Sequence, residues 1–219
     1  MAKHPETNAV RIQTKKTGEK EHSTPLFLTS SFTYDSAEDM AAAFSDDSLD
    51  VNIYSRFSNP SVDEFIEKIA SLEGAEDGVA TGTGMAAIFA TFMTFLSKGD
   101  HIISASAVFG STHTILTKYL PKWGIESSYF DMNKPETIEG LVKLNTKMLY
   151  VETPSNPGLD IIDIEFVSAL CKKYNILFVV DNCFATPAVQ HPIKFGADLV
   201  VHSATKFIDG QGRVLGGVV

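Results

Sequence analysis

From Pro60 onward, short and almost wholly apolar runs alternate with stretches of helical periodicity. This alternation constrains the fold more than any other feature of the 219-residue chain. The runs cover 78–80, 101–105, 126–130, 148–151, 176–180, 199–201 and 214–219, with helical patterns over 85–96, 111–123, 135–144 and 164–174. A strand with no polar face must be covered on both sides, and a helix between successive strands makes them parallel. The pattern predicts an α/β fold: a three-layer α/β/α domain around a mostly parallel sheet, spanning residues 61–219. The run 214–219 reads as a buried strand with no helix after it, so we expect the chain to be part of a longer polypeptide.

Residues 1–60 read differently. They are rich in Ser, Thr and Asp, with one candidate helix over 37–44. Residues 1–22 are expected to form a disordered tail. From Thr24 the aromatics Phe27, Phe32, Tyr34, Tyr54 and Phe57 suggest an arm that packs on something. The boundary falls at Ser61-Val62-Asp63-Glu64, a capping-box pattern with a hydroxyl at the cap and a carboxylate three residues on. Val62, Phe65, Ile66, Ile69 and Leu72 follow at helical spacing, and Gly74 stops the helix.

Composition narrows the function classes. A net charge of −9 argues against nucleic acid as a partner, since such proteins carry a basic face. The N-terminus lacks an apolar signal core, and the stretch 85–96 is too short to span a bilayer, so no membrane partner is expected. Cys171 and Cys183 have neither metal-ligand nor disulfide spacing and read as reduced structural thiols, consistent with a cytoplasmic protein. His113, His191 and His202 lack zinc spacing, so no metal is expected.

The residues able to carry chemistry stand where apolar runs end. Gly82-Thr83-Gly84-Met85 joins a run to a helix; such a turn is either plain punctuation or a cradle whose amides and helix dipole hold an anion. Tyr54-Ser55-Arg56 offers a phenol and a guanidinium suited to a phosphate, or simply a surface arginine. In Glu152-Thr153-Pro154-Ser155-Asn156-Pro157 two prolines stiffen a loop at a strand end, where α/β proteins place ligands. Phe109, before Gly110-Ser111-Thr112, could stack on a flat ring or fill the core. Asp181 ends the run 176–180, and buried carboxylates are rare unless paired. Lys206 ends His202-Ser203-Ala204-Thr205-Lys206, with Ser203 and Thr205 able to donate to a phosphate. An aspartate and a lysine at the ends of neighbouring buried strands match the needs of pyridoxal 5'-phosphate (PLP): a Schiff base to the lysine and a carboxylate on the pyridinium nitrogen.

Taken in order, these motifs resemble the cysteine/methionine-metabolism family of fold-type I PLP enzymes, which includes cystathionine γ-synthase, cystathionine and methionine γ-lyases and the O-acylhomoserine sulfhydrylases. The resemblance runs from about Thr24 to Val219. Phe109-Gly110-Ser111 and Lys206 to Arg213 look most like the O-succinylhomoserine sulfhydrylases.

The resemblance implies a PLP-transferase large domain, with a small C-terminal domain absent from this chain. It implies that Lys206 binds the aldehyde and shuttles protons with an amine made less basic by burial, that Asp181 holds the ring nitrogen, and that Phe109 stacks on the ring. Gly84, Met85, Ser203 and Thr205 would bind the phosphate, and Asn156 would contact the ring hydroxyl side and the substrate, its loop supported by Glu152. Tyr54 and Arg56 would reach the phosphate of a neighbouring subunit, making residues 1–60 an inter-subunit arm in a homo-oligomer, a dimer of dimers. The partners implied are an amino-acid substrate and a sulfur nucleophile, with γ-replacement giving homocysteine. Two departures bear on the reaction: family lyases usually have tyrosine where Phe109 stands, and methionine γ-lyases typically have cysteine where Ser111 stands.

Overall fold

The computed structural model describes residues 4–46 and 48–219, which divide into two compact units, Met1–Ser71 and Leu72–Val219. In the first unit, helix α1 (Pro5–Arg11) corrects part of the expected tail; residues 1–3 of that tail lie outside the described residues. Its causes are local. Pro5 is preset for the first turn, while Glu6 and Arg11 complement the two ends of the helix dipole. Asn8 adds a donation from Nδ2 to Ser71 Oγ at 3.0 Å. Helix α2 (Ala37–Ser45) is capped by Ser36, whose side chain accepts from the Asp39 amide. Between α2 and helix α3 (Pro60–Glu73), Tyr54 makes an isolated antiparallel bridge to Ser31.

The cap of α3 is Asn59 rather than Ser61: Asn59 Oδ1 accepts from the Ser61 amide at 2.9 Å. Pro60 explains the shift, since proline favours the first helical position and so puts the cap on Asn59, two residues before Ser61. Ser61 Oγ instead accepts from the Phe27 amide at 3.0 Å.

The second unit is built on a seven-stranded sheet ordered β1-β7-β6-β5-β4-β2-β3. The strands are β1 (Ala80–Thr81), β2 (His101–Ala105), β3 (Glu126–Phe130), β4 (Thr146–Glu152), β5 (Leu177–Asp181), β6 (Leu199–Ser203) and β7 (Gly217–Val218). Strands β2 to β6 are mutually parallel, and β7 runs antiparallel to both neighbours. Every residue of β2 is buried, as are nearly all of β4 and β5. Alternate side chains point to opposite faces, so both faces are covered, as the apolar runs predicted. Helix α4 (Gly84–Phe95) packs on β6 and β7, and helix α6 (Ile164–Tyr174) on β5. Among the described residues no helix is long and apolar enough to cross a membrane.

Three helical expectations are corrected. The pattern over 111–123 forms a short helix α5 (Gly110–Thr114), a π-helical turn (Ile115–Tyr119) and a 3-10 turn (Leu120–Trp123). The Leu120 amide reaches back to the Ile115 carbonyl, and Pro121 has no amide to continue an α-helix. The pattern over 135–144 is a 3-10 segment, Pro135–Leu141, ended by extended Val142. The short helix α7 (Thr186–Val189) follows β5 after a turn, where the sequence showed no clear helix.

The expected strand over 214–219 contracts to Gly217–Val218. A Cβ on Gly217 would lie 2.3 Å from the Thr83 carbonyl oxygen, so only glycine lets β7 pass this close to the start of α4.

Candidate active site

The parallel strands deliver their carboxyl ends to one edge of the sheet, and the candidate residues collect there. Gly84, Met85, Phe109, Asn156, Asp181, Ser203, Thr205 and Lys206 line one cavity of about 330 Å³, together with Glu152, Cys183, Phe184 and Leu215. That volume suits a small cofactor. Tyr54 and Arg56 belong to the first unit. Both are exposed, and the Arg56 guanidinium lies 5.1 Å from the Tyr54 ring centre and 5.3 Å from that of Phe57.

One wall of the cavity is the start of α4. Thr83 caps this helix, its hydroxyl accepting from the Ala86 amide at 3.0 Å. The first-turn amides of Gly84 and Met85 have no intrahelical acceptor, and the helix dipole favours an anion in front of them. A Cβ on Gly84 would come within 2.4 Å of the Ser203 Cβ; glycine therefore allows the helix start to touch the end of β6 and draws Ser203 toward those amides. Thr205 Oγ1 accepts from the Gly216 amide at 3.2 Å, which pins the turn carrying Lys206 to the segment leading into β7.

Asp181, at the end of β5, lines the same cavity. In the register of β4 and β5 it stands beside Glu152, two carboxyl groups side by side at the sheet edge. Asp181 Oδ1 accepts from the Cys183 amide at 3.0 Å, and Oδ2 from the Tyr150 hydroxyl at 2.9 Å. Burial pushes the Asp181 carboxyl up, while those two donors oppose the rise. Glu152 bridges two loops. Its Oε2 accepts from the Phe109 amide at 2.7 Å and its Oε1 from the Asn156 amide at 3.0 Å, so it sets the spacing between the aromatic and the asparagine. Burial and the neighbouring Asp181 charge raise it to about 7.

Lys206 is exposed, not buried as the resemblance implied. It follows β6 in a turn where the Gly210 amide donates to its carbonyl at 2.8 Å. It also lines an adjoining cavity of about 520 Å³ with Phe184 and Phe207, so it stands where two cavities meet. Cys183 is only half-buried and faces the first cavity; burial and Asp181 raise its thiol to about 11, which keeps it protonated at neutral pH.

Sequence reasoning missed two sets of residues. Tyr150 reads as one more apolar-run residue, yet its hydroxyl reaches Asp181. Glu73, at the end of α3, accepts at Oε1 from Asn182 Nδ2 at 2.8 Å and contacts His202 Nε2 at 2.6 Å. Asn182 and His202 directly adjoin Asp181 and Ser203, so this buried carboxylate braces the ends of β5 and β6. Gln190 extends the brace, donating to Asn182 Oδ1 and to the Thr153 carbonyl, both at 2.8 Å.

An exposed lysine amine, a buried carboxyl that accepts two hydrogen bonds, an aromatic ring and the open amides of a helix start, all on one cavity, fit a phosphorylated pyridine aldehyde. On a mostly parallel sheet they define the large domain of a fold-type I PLP-dependent enzyme. Residues 6–219 match the family described as Cys/Met metabolism PLP-dependent enzyme, and the chain belongs to that family. It is 47% identical over 214 residues to O-succinylhomoserine sulfhydrylase of Pseudomonas aeruginosa, covering 98% of this chain and 53% of that protein. It is 42% identical over 196 residues to L-methionine gamma-lyase of Fusobacterium nucleatum subsp. polymorphum, covering 89% of this chain and 49% of that protein. Among solved structures, a Campylobacter jejuni protein assigned as an O-acetylhomoserine (thiol)-lyase superposes with a TM-score of 0.91 at 34% identity, covering 98% of this chain and 52% of that one. It carries N'-pyridoxyl-lysine-5'-monophosphate in its chain. The chain thus spans about half the length of the relatives it matches.

Proposed function

We propose that this chain forms the cofactor-binding part of an O-acylhomoserine sulfhydrylase, which replaces the γ-acyloxy group of O-succinyl- or O-acetylhomoserine with sulfide to give homocysteine and the free acid. The observation that carries this reading is the cavity itself. It brings Lys206 together with Asp181, with Phe109 as the only aromatic of the expected site set on its wall, and the similarity to the Pseudomonas sulfhydrylase supports it. Phenylalanine has no transferable proton, so proton movement falls to the Lys206 amine.

In this reading Lys206 would hold the aldehyde until the amine of the substrate displaces it, and the freed lysine amine would then take the proton from the substrate Cα and return one later. Asp181 keeps the ring nitrogen protonated, the amides of Gly84 and Met85 with Ser203 and Thr205 hold the phosphate, and Asn156 faces the ring hydroxyl side, placed by Glu152. When bound, PLP supplies the electron sink for charge developing at Cα.

The second reading is a γ-lyase, favoured by the Fusobacterium relative. Product analysis separates them. A sulfhydrylase consumes O-acylhomoserine with sulfide and forms homocysteine in near-stoichiometric amount. A γ-lyase forms ammonia and a 2-oxo acid with no acceptor present, and cystathionine formed from added cysteine would point to a synthase.

The reading also makes residues 1–60 an arm whose Tyr54 and Arg56 complete the phosphate site of a neighbouring copy in a homo-oligomer. Subunit complementation tests this. Arg56→Ala and Lys206→Ala proteins, each of low activity alone, should regain up to about a quarter of wild-type activity when mixed and reassembled, because one site per mixed pair then has both residues intact. No recovery despite confirmed subunit exchange would show that Arg56 acts within its own subunit, and full activity of Arg56→Ala alone would remove it from the site.

A further inference from the structure

Tyr150 lies in the middle of β4 and is wholly buried. In the register of the sheet Glu152 stands beside Asp181, and Tyr150, two residues earlier in β4, projects from the same face as Glu152. Its ring is fixed edge-on against Phe92 of α4, with centroids 5.2 Å apart and planes at 79°. A buried phenol must donate its proton to some acceptor. Among the described residues that acceptor is Asp181 Oδ2, at 2.9 Å. The groups facing Asp181 are Tyr150 and Glu152 from β4, Cys183 just past β5, and His202 from β6. Of these, only the Cys183 amide and the Tyr150 hydroxyl donate to it directly.

We propose that Tyr150 is a positioning residue for the cofactor: by donating to Oδ2 it orients the Asp181 carboxylate toward the ring nitrogen and holds it as the anion, so that the proton the two share stays on the ring. A carboxylate that accepts several hydrogen bonds is a weaker base, and a weaker base leaves the proton with its partner. Remove the phenol hydroxyl and Asp181 becomes the stronger base, the proton moves toward it, and the ring loses part of its positive charge. The inference rests on the reading that Asp181 faces the ring nitrogen.

The test is Tyr150→Phe, which keeps the ring and its packing on Phe92 and deletes only the donor. Protein reconstituted with PLP labelled with ¹⁵N in the ring is expected to show the nitrogen resonance displaced toward unprotonated pyridine. PLP titrated into the apoprotein should bind about tenfold more weakly or worse, as the loss of one hydrogen bond to a charged group implies. In turnover, kcat should fall while KM changes little. A merely structural tyrosine would lower the melting temperature and leave the ¹⁵N resonance in place, and that result overturns the inference.

Asp181→Asn is the companion variant. If it too leaves the resonance and the affinity unchanged, the placement of Asp181 at the ring nitrogen is what fails; if it moves them and Tyr150→Phe does not, only the role of Tyr150 fails. Should Tyr150→Phe not fold, placing p-aminophenylalanine at position 150 gives a weaker donor of nearly the same shape. It should move the resonance in the same sense by a smaller amount, and no movement overturns the inference.

Discussion

Lys206→Ala is expected to abolish turnover, lowering kcat by about 10⁴-fold or more, because the substitution removes both the amine that holds the cofactor and the base that moves the proton. The loss should not come from unfolding. Lys206 is exposed in the turn after β6, and that turn is fixed by backbone bonds and by Thr205 rather than by the lysine side chain. The melting temperature should therefore stay near that of the wild type while steady-state assays detect no product above background. Near-wild-type rates in the variant would remove Lys206 from the mechanism.

The second large effect is expected at Asp181. Asp181→Asn keeps the volume but replaces an anion with a neutral amide, so charge on the ring nitrogen is no longer balanced. We expect kcat/KM to fall about 10²- to 10³-fold, or roughly 3–4 kcal/mol of transition-state stabilisation. Stability should respond as well, because the buried Tyr150 hydroxyl and Cys183 amide each lose part of a charged acceptor. Steady-state kinetics beside a thermal melt separate the two effects. A variant that melts at a lower temperature but turns over normally would make Asp181 a structural residue only.

The features legible in the sequence share a physical cause. Strands buried on both faces must be continuously apolar, so β2, β4 and β5 stood out, and a polar residue ending such a run, as Asp181 does, has to have a purpose. Glycine at Gly84 could be read the same way, since a strand-to-helix turn needs close approach. Contacts made across long stretches of chain could not be read. Glu73 meets Asn182 and His202 more than a hundred residues away, and at the end of α3 it looks like any helix-terminal carboxylate. Tyr150 was hidden because it sits in the apolar run 148–151 of β4 and a phenol fits such a run; only the pairing with β5 brings its hydroxyl to Asp181. Helix boundaries failed where local chemistry competed with periodicity. Asn59 displaced Ser61 as the cap of α3, and Pro121 broke the pattern over 111–123 into three kinds of turn.

The central claim is that Lys206 is the residue that carries PLP. Borohydride reduction of the PLP-loaded protein, followed by proteolysis and mass mapping of the peptides, tests it directly. One reduced pyridoxyl phosphate adduct per chain is expected, on the peptide containing Lys206 and absent from Lys206→Ala. An adduct on a different lysine, or none from protein that retains bound PLP, would contradict it.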